Sequence, residues 1–489
     1  MPMSLEIDGR LILGGSRADG EGRQTIIDPY RSTPVAEVHT ASEELVDRAV
    51  TGAREAAAEM AALPAHARAD LLRRAAELVR ERADEIASTV SRQTGKALRD
   101  TRREADRSTY TLRAAAVAAE TLTGSLEPAD AIPGGEGLLA LVLREPLGVI
   151  GAIAPFNAPF NLAMHKVAAA IAAGNSVVLK PSSHAPLSGF QLAEILVDAG
   201  LPPAAISVLP GSGVGPALVR HAGVDGISFT GGVAAGTSIA AAAGLKPVIL
   251  ELGGNSPNIV HRDADLDWSA RALVAGGFSN TGQSCNSVQR IYAHASILDD
   301  LVDLLRLRTE ALQVGDPLDD RSDVGTLVDQ QNAERVEAWV AEATSAGATV
   351  VTGGRREGAL YWPTVLTGVT PDMKVCSTEV FGPVVSVLPY QEIDEVIAAA
   401  NGTPLGLQAA IFTRSLDVAW RVARGVVAGG VMVNRSSNTR LDHLPFGGTK
   451  ESGHGREGGR FSVEEMTRRK LVLVDAAMAT QPHPLARGS

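Results

Sequence analysis

The chain predicts an α/β protein: a doubly wound, mostly parallel sheet with a second α/β domain behind it. Three observations carry this. The 489 residues exceed what one ordinary core supports, so more than one domain is expected. The first third is helical by pattern. From Gly148 the rhythm changes to short β-rich runs, each followed by a loop and an Ala-rich helical segment, which implies right-handed βαβ crossovers.

Taken in order, residues 67–93 place Leu71, Leu72, Ala75, Leu78, Val79, Ile86 and Val90 at near-helical spacing, with Gly95 as the stop. The β-rich runs are "GVIGAIA" (148–154), "SVVLK" (176–180), "ISVL" (206–209), "GISF" (226–229) and "PVILE" (247–251). A second block, about 255–460, mixes runs such as "VVSVLPY" (384–390) and "GGVMVN" (429–434) with helices. The last residues, "MATQPHPLARGS", read as a disordered tail.

Composition narrows the function classes. A formal charge of −11, spread along the chain, argues against a phosphate-backbone partner, so no nucleic acid is expected. No apolar run approaches the roughly 20 residues that cross a bilayer, and residues 1–15 lack the basic and long apolar regions of a signal peptide. A cytoplasmic protein without membrane contact is expected. Two cysteines, Cys285 and Cys376, support neither a disulfide framework nor a four-cysteine zinc site, and no metal is expected.

In doubly wound sheets ligands bind beyond the carboxyl ends of the strands. Those ends carry "PFNAP" (155–159), "KPSSHAP" (180–186), "PGSGVG" (210–215), "TGG" (230–232) and "ELGG" (251–254). The glycines of "PGSGVG" suit close approach of a pyrophosphate, but the run lacks the full G-x-G-x-x-G spacing and serves a tight turn equally well. Lys180 is a cation at the ligand edge, in reach of a nucleotide ribose or phosphate, or a solvated surface lysine. Glu251 ends an apolar strand, where burial makes a carboxylate a usable general base, although salt-bridged glutamates are commoner. Asn157, between two prolines, offers an amide N–H to an oxyanion, or makes an Asx turn. Cys376 reads as a small core hydrophobe. Cys285 sits in "FSNTGQSCNSVQR" (278–290), a poor core but a good setting for a thiolate nucleophile among backbone N–H donors.

These stretches, in this order and spacing, together with "EVFGP" (379–383) and "PFGGTKESGHGREGG" (445–459), make the chain resemble an NAD(P)-dependent aldehyde dehydrogenase over almost its whole length. The resemblance implies an aldehyde dehydrogenase-like fold: a dinucleotide-binding domain of residues 1–123 and 147–253, a catalytic domain of 254–465, and oligomerisation arms of 124–146 and 466–482, ahead of a tail at 483–489. It makes Cys285 the nucleophile, Asn157 and the Cys285 N–H the oxyanion hole, Glu251 the base for a deacylating water, and Lys166 an active-site lysine. It places NAD or NADP against Ala154, Pro155, Phe156, Lys180, Ser182, Ser183, Gly211, Gly215, Phe229, Thr230, Gly231, Gly232, Leu252, Glu379 and Phe381. Gly232 departs from a serine common in the family, and Ser183 from a glutamate of NAD-preferring members, so NADP is expected to be accepted. Arms of this kind pair subunits, implying a homodimer or homotetramer.

For the substrate, Arg107, His165 and Arg440 resemble polar placements in members acting on small anionic or hydroxylated aldehydes, the lactaldehyde, phosphonate-aldehyde and semialdehyde types. The alternative is three ordinary cations and a neutral aldehyde. His165 departs from the arginine of succinic-semialdehyde-type members. A CoA-acylating dehydrogenase is a further alternative, disfavoured because such members typically lack the base that Glu251 supplies.

Overall fold

The computed structural model describes residues 8–475; the tail predicted for the last residues lies outside them. Five strands of the first sheet lie parallel, in the spatial order Ile206–Val208, Ser176–Lys180, Val149–Ile153, Gly226–Thr230 and Val248–Glu251. They match the five sequence runs to within a residue or two at each end. Their side chains are almost all buried, which is why the runs read as continuous Val/Ile/Leu rather than alternating. The chain winds one way from Val149–Ile153 and then crosses to Gly226–Thr230 on its other side. The crevice at that reversal is where such sheets take their ligands.

Short antiparallel strands close both edges: Leu11–Leu13 beside Ile206–Val208, and Gly453–His454 beside Val248–Glu251. The second pairing sets Gly453 opposite Glu251, and so carries the "GHGREGG" segment back to the end of the fifth strand.

Helices cover the first sheet. The helix predicted over 67–93 is two, Ala65–Glu81 and Ala83–Thr94, broken at Arg82, which lies at φ −100° and ψ 17°. Arg82 donates its N–H to Leu78 and ion-pairs with Asp198 at 2.6 Å, so the chain re-aims there while its apolar residues stay in one core. Gly95 ends the second helix in the left-handed conformation, as its sequence position suggested. The helix Pro159–Ala173 is buried at every residue, and its many alanines permit that close packing. The consequence is chemical: its His165 and Lys166 lie inside the protein and require partners.

After residues 252–255 the chain enters a second sheet, whose six parallel strands lie in the order Thr364–Thr367, Val384–Tyr390, Val288–His294, Ser256–Val260, Gln408–Phe412, Gly430–Val433, with Thr349–Thr352 antiparallel at one edge. The carboxyl end of the first sheet thereby abuts the segment that leads into Val288–His294. A separate antiparallel sheet joins Ser125–Glu127, Leu138–Pro146 and Thr467–Asp475. Among the described residues, no helix is long and apolar enough to cross a membrane.

Candidate active site

Cys285 stands at the end of a strained turn. Asn280, Thr281 and Gly282 all adopt positive φ, and only the glycine does so without steric cost. Gly282 is needed for a second reason: a Cβ there would meet the Gly382 carbonyl oxygen at 2.2 Å. The turn is held by Asp100, whose carboxylate accepts from the Asn280 N–H at 2.8 Å, and by the Asn280 amide donating to the Asn157 carbonyl at 2.8 Å. The same bond ties the cysteine turn to the "PFNAP" loop. Gly254 completes the approach, since a Cβ on it would lie 2.1 Å from the Cys285 carbonyl oxygen.

Two cavities meet here. One, about 300 Å³, opens at the strand reversal and is lined by Pro155, Phe156, Gly231, Gly232, Leu252, Glu379 and Phe381. The other, a narrow cleft of about 100 Å³, is polar and includes Lys96, Arg103, Arg107, Ser284, Asn438 and Arg440. The residues common to both are Asn157, Thr230, Glu251 and Cys285. Neither the side-chain amide of Asn157 nor the N–H of Cys285 donates a hydrogen bond among the described residues, which leaves two donors at the junction free for an oxyanion.

Glu251 is 2 % exposed and neither carboxylate oxygen has a hydrogen-bond partner among the described residues. Burial, reinforced by nearby Glu457, pushes its carboxyl well above the ordinary range. Glu457 is itself buried, but Lys166 at 2.6 Å and Arg440 at 3.1 Å outweigh the burial and hold it ionised. Two buried carboxyls are thus driven apart, one charged and one able to carry a proton. Burial likewise pushes the Cys285 thiol up to about 12, with Glu379 adding to the effect and Arg440 opposing it. Glu379 is raised by burial to about 7, while accepting from the Gly254 N–H at 2.9 Å.

Lys166 also donates to Thr230 Oγ1 at 2.7 Å, so it braces the junction from behind. Removing its charge leaves buried Glu457 with Arg440 as its one ion-pair partner among the described residues. Lys166→Met is expected to cost about 3–5 kcal/mol of folding stability, measured by urea unfolding against wild type.

The first cavity suits a dinucleotide on structural grounds. Phe156 and Phe381 meet edge to face at 5.7 Å beside Cys285, a setting for a nicotinamide ring. Gly232 caps the helix Val233–Ala242, whose N-terminus favours a pyrophosphate. A Cβ at Gly232 would meet nothing within 4 Å, so sterics do not demand glycine there.

The other sequence-derived residues lie further out. Phe229 packs beneath Gly231, and Ala154 and Ser182 are buried near the strand ends. Lys180 ends its strand with no ion pair among the described residues, and burial lowers its ammonium from the ordinary value. Gly211 precedes the short helix Val214–Arg220 that contains Gly215. Ser183 borders a larger cavity, about 660 Å³, between the hairpin Gly22–Ile27/Pro34–Thr40 and residues 326–330, away from Cys285.

Of the three substrate candidates, Arg107 and Arg440 line the cleft and His165 does not. His165 lies behind it, 2.9 Å from Asp442; burial and Arg440 lower its pKa, so it is neutral at neutral pH. Its place on a helix buried on all sides explains the difference. Asp442 also takes both ends of the Arg107 guanidinium, at 3.0 and 2.6 Å. Asp442 and Glu457 escaped the sequence reading, since neither sits at a strand end. The signal for Glu457 was its place inside "GHGREGG", and for Asp442 its spacing of two from Arg440.

A profile of the aldehyde dehydrogenase family matches residues 17–472. The chain is 42% identical to 3-sulfolactaldehyde dehydrogenase of Priestia aryabhattai over 455 residues, 93% of this chain and 95% of that one. Aldehyde dehydrogenase 21 of Physcomitrella patens, solved with the product succinate, superposes with TM-score 0.93 at 34% identity, covering 96% and 99% of the two chains. NADP-dependent glyceraldehyde-3-phosphate dehydrogenase of Bacillus halodurans, solved with NADP, superposes with TM-score 0.93 at 36% identity, again over 96% and 99%. These matches over nearly the whole chain, on a molecule whose two cavities meet at Cys285, place it in the aldehyde dehydrogenase family.

Proposed function

We propose that this aldehyde dehydrogenase oxidises a small anionic or hydroxylated aldehyde to its carboxylate with NAD or NADP, through a thioester on Cys285. One observation carries the reading: the thiol stands where an aromatic-walled cavity and an arginine-lined cleft meet. Bound NAD(P), held by Phe156, Phe381, Glu379 and the Gly232 helix end, supplies the hydride acceptor. Cys285 gives its thiol proton to the ionised form of Glu251, which passes it on to solvent, and the thiolate adds to the aldehyde carbon while the Asn157 amide and Cys285 N–H hold the oxyanion. After hydride loss the adduct is a thioester. Glu251 then takes a proton from water as the water attacks the thioester carbonyl, which releases the carboxylate and returns the thiol.

The small cleft and its arginines support an anionic substrate, a feature shared with the sulfonate aldehyde and succinate named for two relatives. Initial rates of reduced-nicotinamide formation over a panel of neutral and anionic aldehydes test this. The account expects kcat/KM for anionic aldehydes to exceed that for propanal at least tenfold; equal values remove the anionic assignment.

Lys180 has no ion pair among the described residues, and Ser183 bears no charge to repel a 2′-phosphate, which supports NADP use. Ser183→Glu is expected to lower kcat/KM for NADP at least tenfold relative to NAD, a loss of about 1.4 kcal/mol or more in discrimination. The ratio measured with a single aldehyde at saturation checks it.

The three-stranded arm leaves Leu126, Leu139, Leu143, Leu471 and Leu473 exposed, which supports a homodimer or homotetramer. Sedimentation equilibrium is expected to show a mass of at least two chains.

A further inference from the structure

The helix Leu98–Thr121 carries five arginines: Arg99, Arg102, Arg103, Arg107 and Arg113. Four have carboxylate partners: Arg99 pairs with Asp323, Arg102 with Asp84 and Asp320, Arg107 with Asp442, and Arg113 with Glu77. Arg103 alone has none among the described residues, although it lines the cleft that leads to Cys285. It stands four residues from Arg107, hence on the same helix face. Its guanidinium is thus free to meet an anion that enters the cleft.

Deeper in the same cleft a second donor is free. Arg440 is buried, its Nη2 donates to Glu457, and its Nε, 3.8 Å from Asp442 Oδ1, makes no hydrogen bond among the described residues. Its guanidinium lies 4.0 Å over the Phe446 ring, which fixes its plane.

The charges around the cleft can be counted. Lys96 faces Glu104 at 2.7 Å, Arg107 faces Asp442 at 2.6 Å, and Lys166 and Arg440 share Glu457. Asp100 accepts from the cysteine turn. Burial lowers the pKa of His165 and raises that of Glu251. Lys96, Arg107, Lys166 and Arg440 therefore each have a carboxylate partner, and Arg103 is the one cation of this group without one among the described residues.

We infer that Arg103 receives the anionic group of the substrate, and that this group is a monoanion, a sulfonate or carboxylate, rather than a dianionic phosphate. The inference rests on the anionic aldehyde reading above and deepens it. Asp442 is the device that sets the limit: by taking the Arg107 fork it removes the second charge a dianion would need. Because Arg103 is exposed at the mouth, its contribution is screened by salt.

The test compares wild type with Arg103→Gln, an exposed substitution that disturbs no ion pair, on sulfoacetaldehyde, succinic semialdehyde, phosphonoacetaldehyde and propanal, at a pH where the phosphonate is dianionic. Wild type is expected to favour the two monoanions over the phosphonate at least tenfold. Arg103→Gln is expected to lower the sulfoacetaldehyde-to-propanal ratio of kcat/KM about tenfold, less so at high salt. A ratio within twofold of wild type overturns the Arg103 assignment while the anionic reading stands. Equal use of phosphonoacetaldehyde and sulfoacetaldehyde by wild type overturns the monoanion limit. Preference of wild type for propanal removes the anionic reading itself, and the inference with it.

Discussion

Cys285→Ala is expected to lower kcat for aldehyde oxidation by at least ~10⁴-fold, the scale seen when a covalent nucleophile is removed. The loss is large because no other group can form the bond: Cys376 is the only other cysteine, and it is buried in the core of the second sheet. The substitution removes one sulfur from a site already open to two cavities, so the fold and the dinucleotide cavity remain. NADP binding, read by equilibrium dialysis, is therefore expected to persist with an affinity within a few-fold of wild type. Turnover at more than a hundredth of the wild-type rate would contradict the nucleophile assignment, because the reaction would then proceed without a covalent step.

Glu251→Gln is expected to separate the two halves of the reaction. Hydride transfer needs Cys285, Asn157 and the dinucleotide, and without Glu251 the thiol proton passes directly to solvent; hydrolysis of the thioester needs a base. The variant is expected to release reduced nicotinamide in one burst, close to one equivalent per active site, and then turn over ~10²–10⁴-fold more slowly. Its amide is isosteric, and the carboxylate it replaces makes no hydrogen bond, so little stability is lost. The pH profile follows from the same burial. A base acts when deprotonated, and burial raises the Glu251 pKa, so the rising limb of kcat shifts to higher pH than an ordinary carboxylate would give. In Glu251→Gln that limb is expected to disappear from the hydrolytic step. A variant that shows no burst and an unchanged pH limb would place the base elsewhere.

The fold was largely legible because its signals are local. The Val/Ile runs at 148–154 and 176–180 became strands within a residue, since strands buried on both faces need no partner information to be read. The helix over 67–93 was legible as helix, not as two: its apolar spacing continues across Arg82, and only the ion pair to distant Asp198 accompanies the break. Within the site, Cys285, Asn157 and Glu251 announce themselves by context, a thiol or polar group where the neighbours make poor core. Their convergence on one junction is now visible in the geometry, while their chemistry rests on the experiments above. The charge network was illegible. Arg107 and His165 reach Asp442 across hundreds of residues of sequence, beside the nearby Arg440, and which cation keeps a carboxylate to itself depends on that meeting. Arg103 drew no attention for the same reason: an unpaired arginine is recognised only once its neighbours' partners are known.

The most direct test of the account is intact-mass and peptide-level mass spectrometry of Glu251→Gln, acid-quenched after mixing with NADP and an anionic aldehyde. The account predicts one acyl group per chain, carried on Cys285 and appearing at the rate of the nicotinamide burst. Reduced nicotinamide formed without a covalent acyl group, or an acyl group on a different residue, would contradict it.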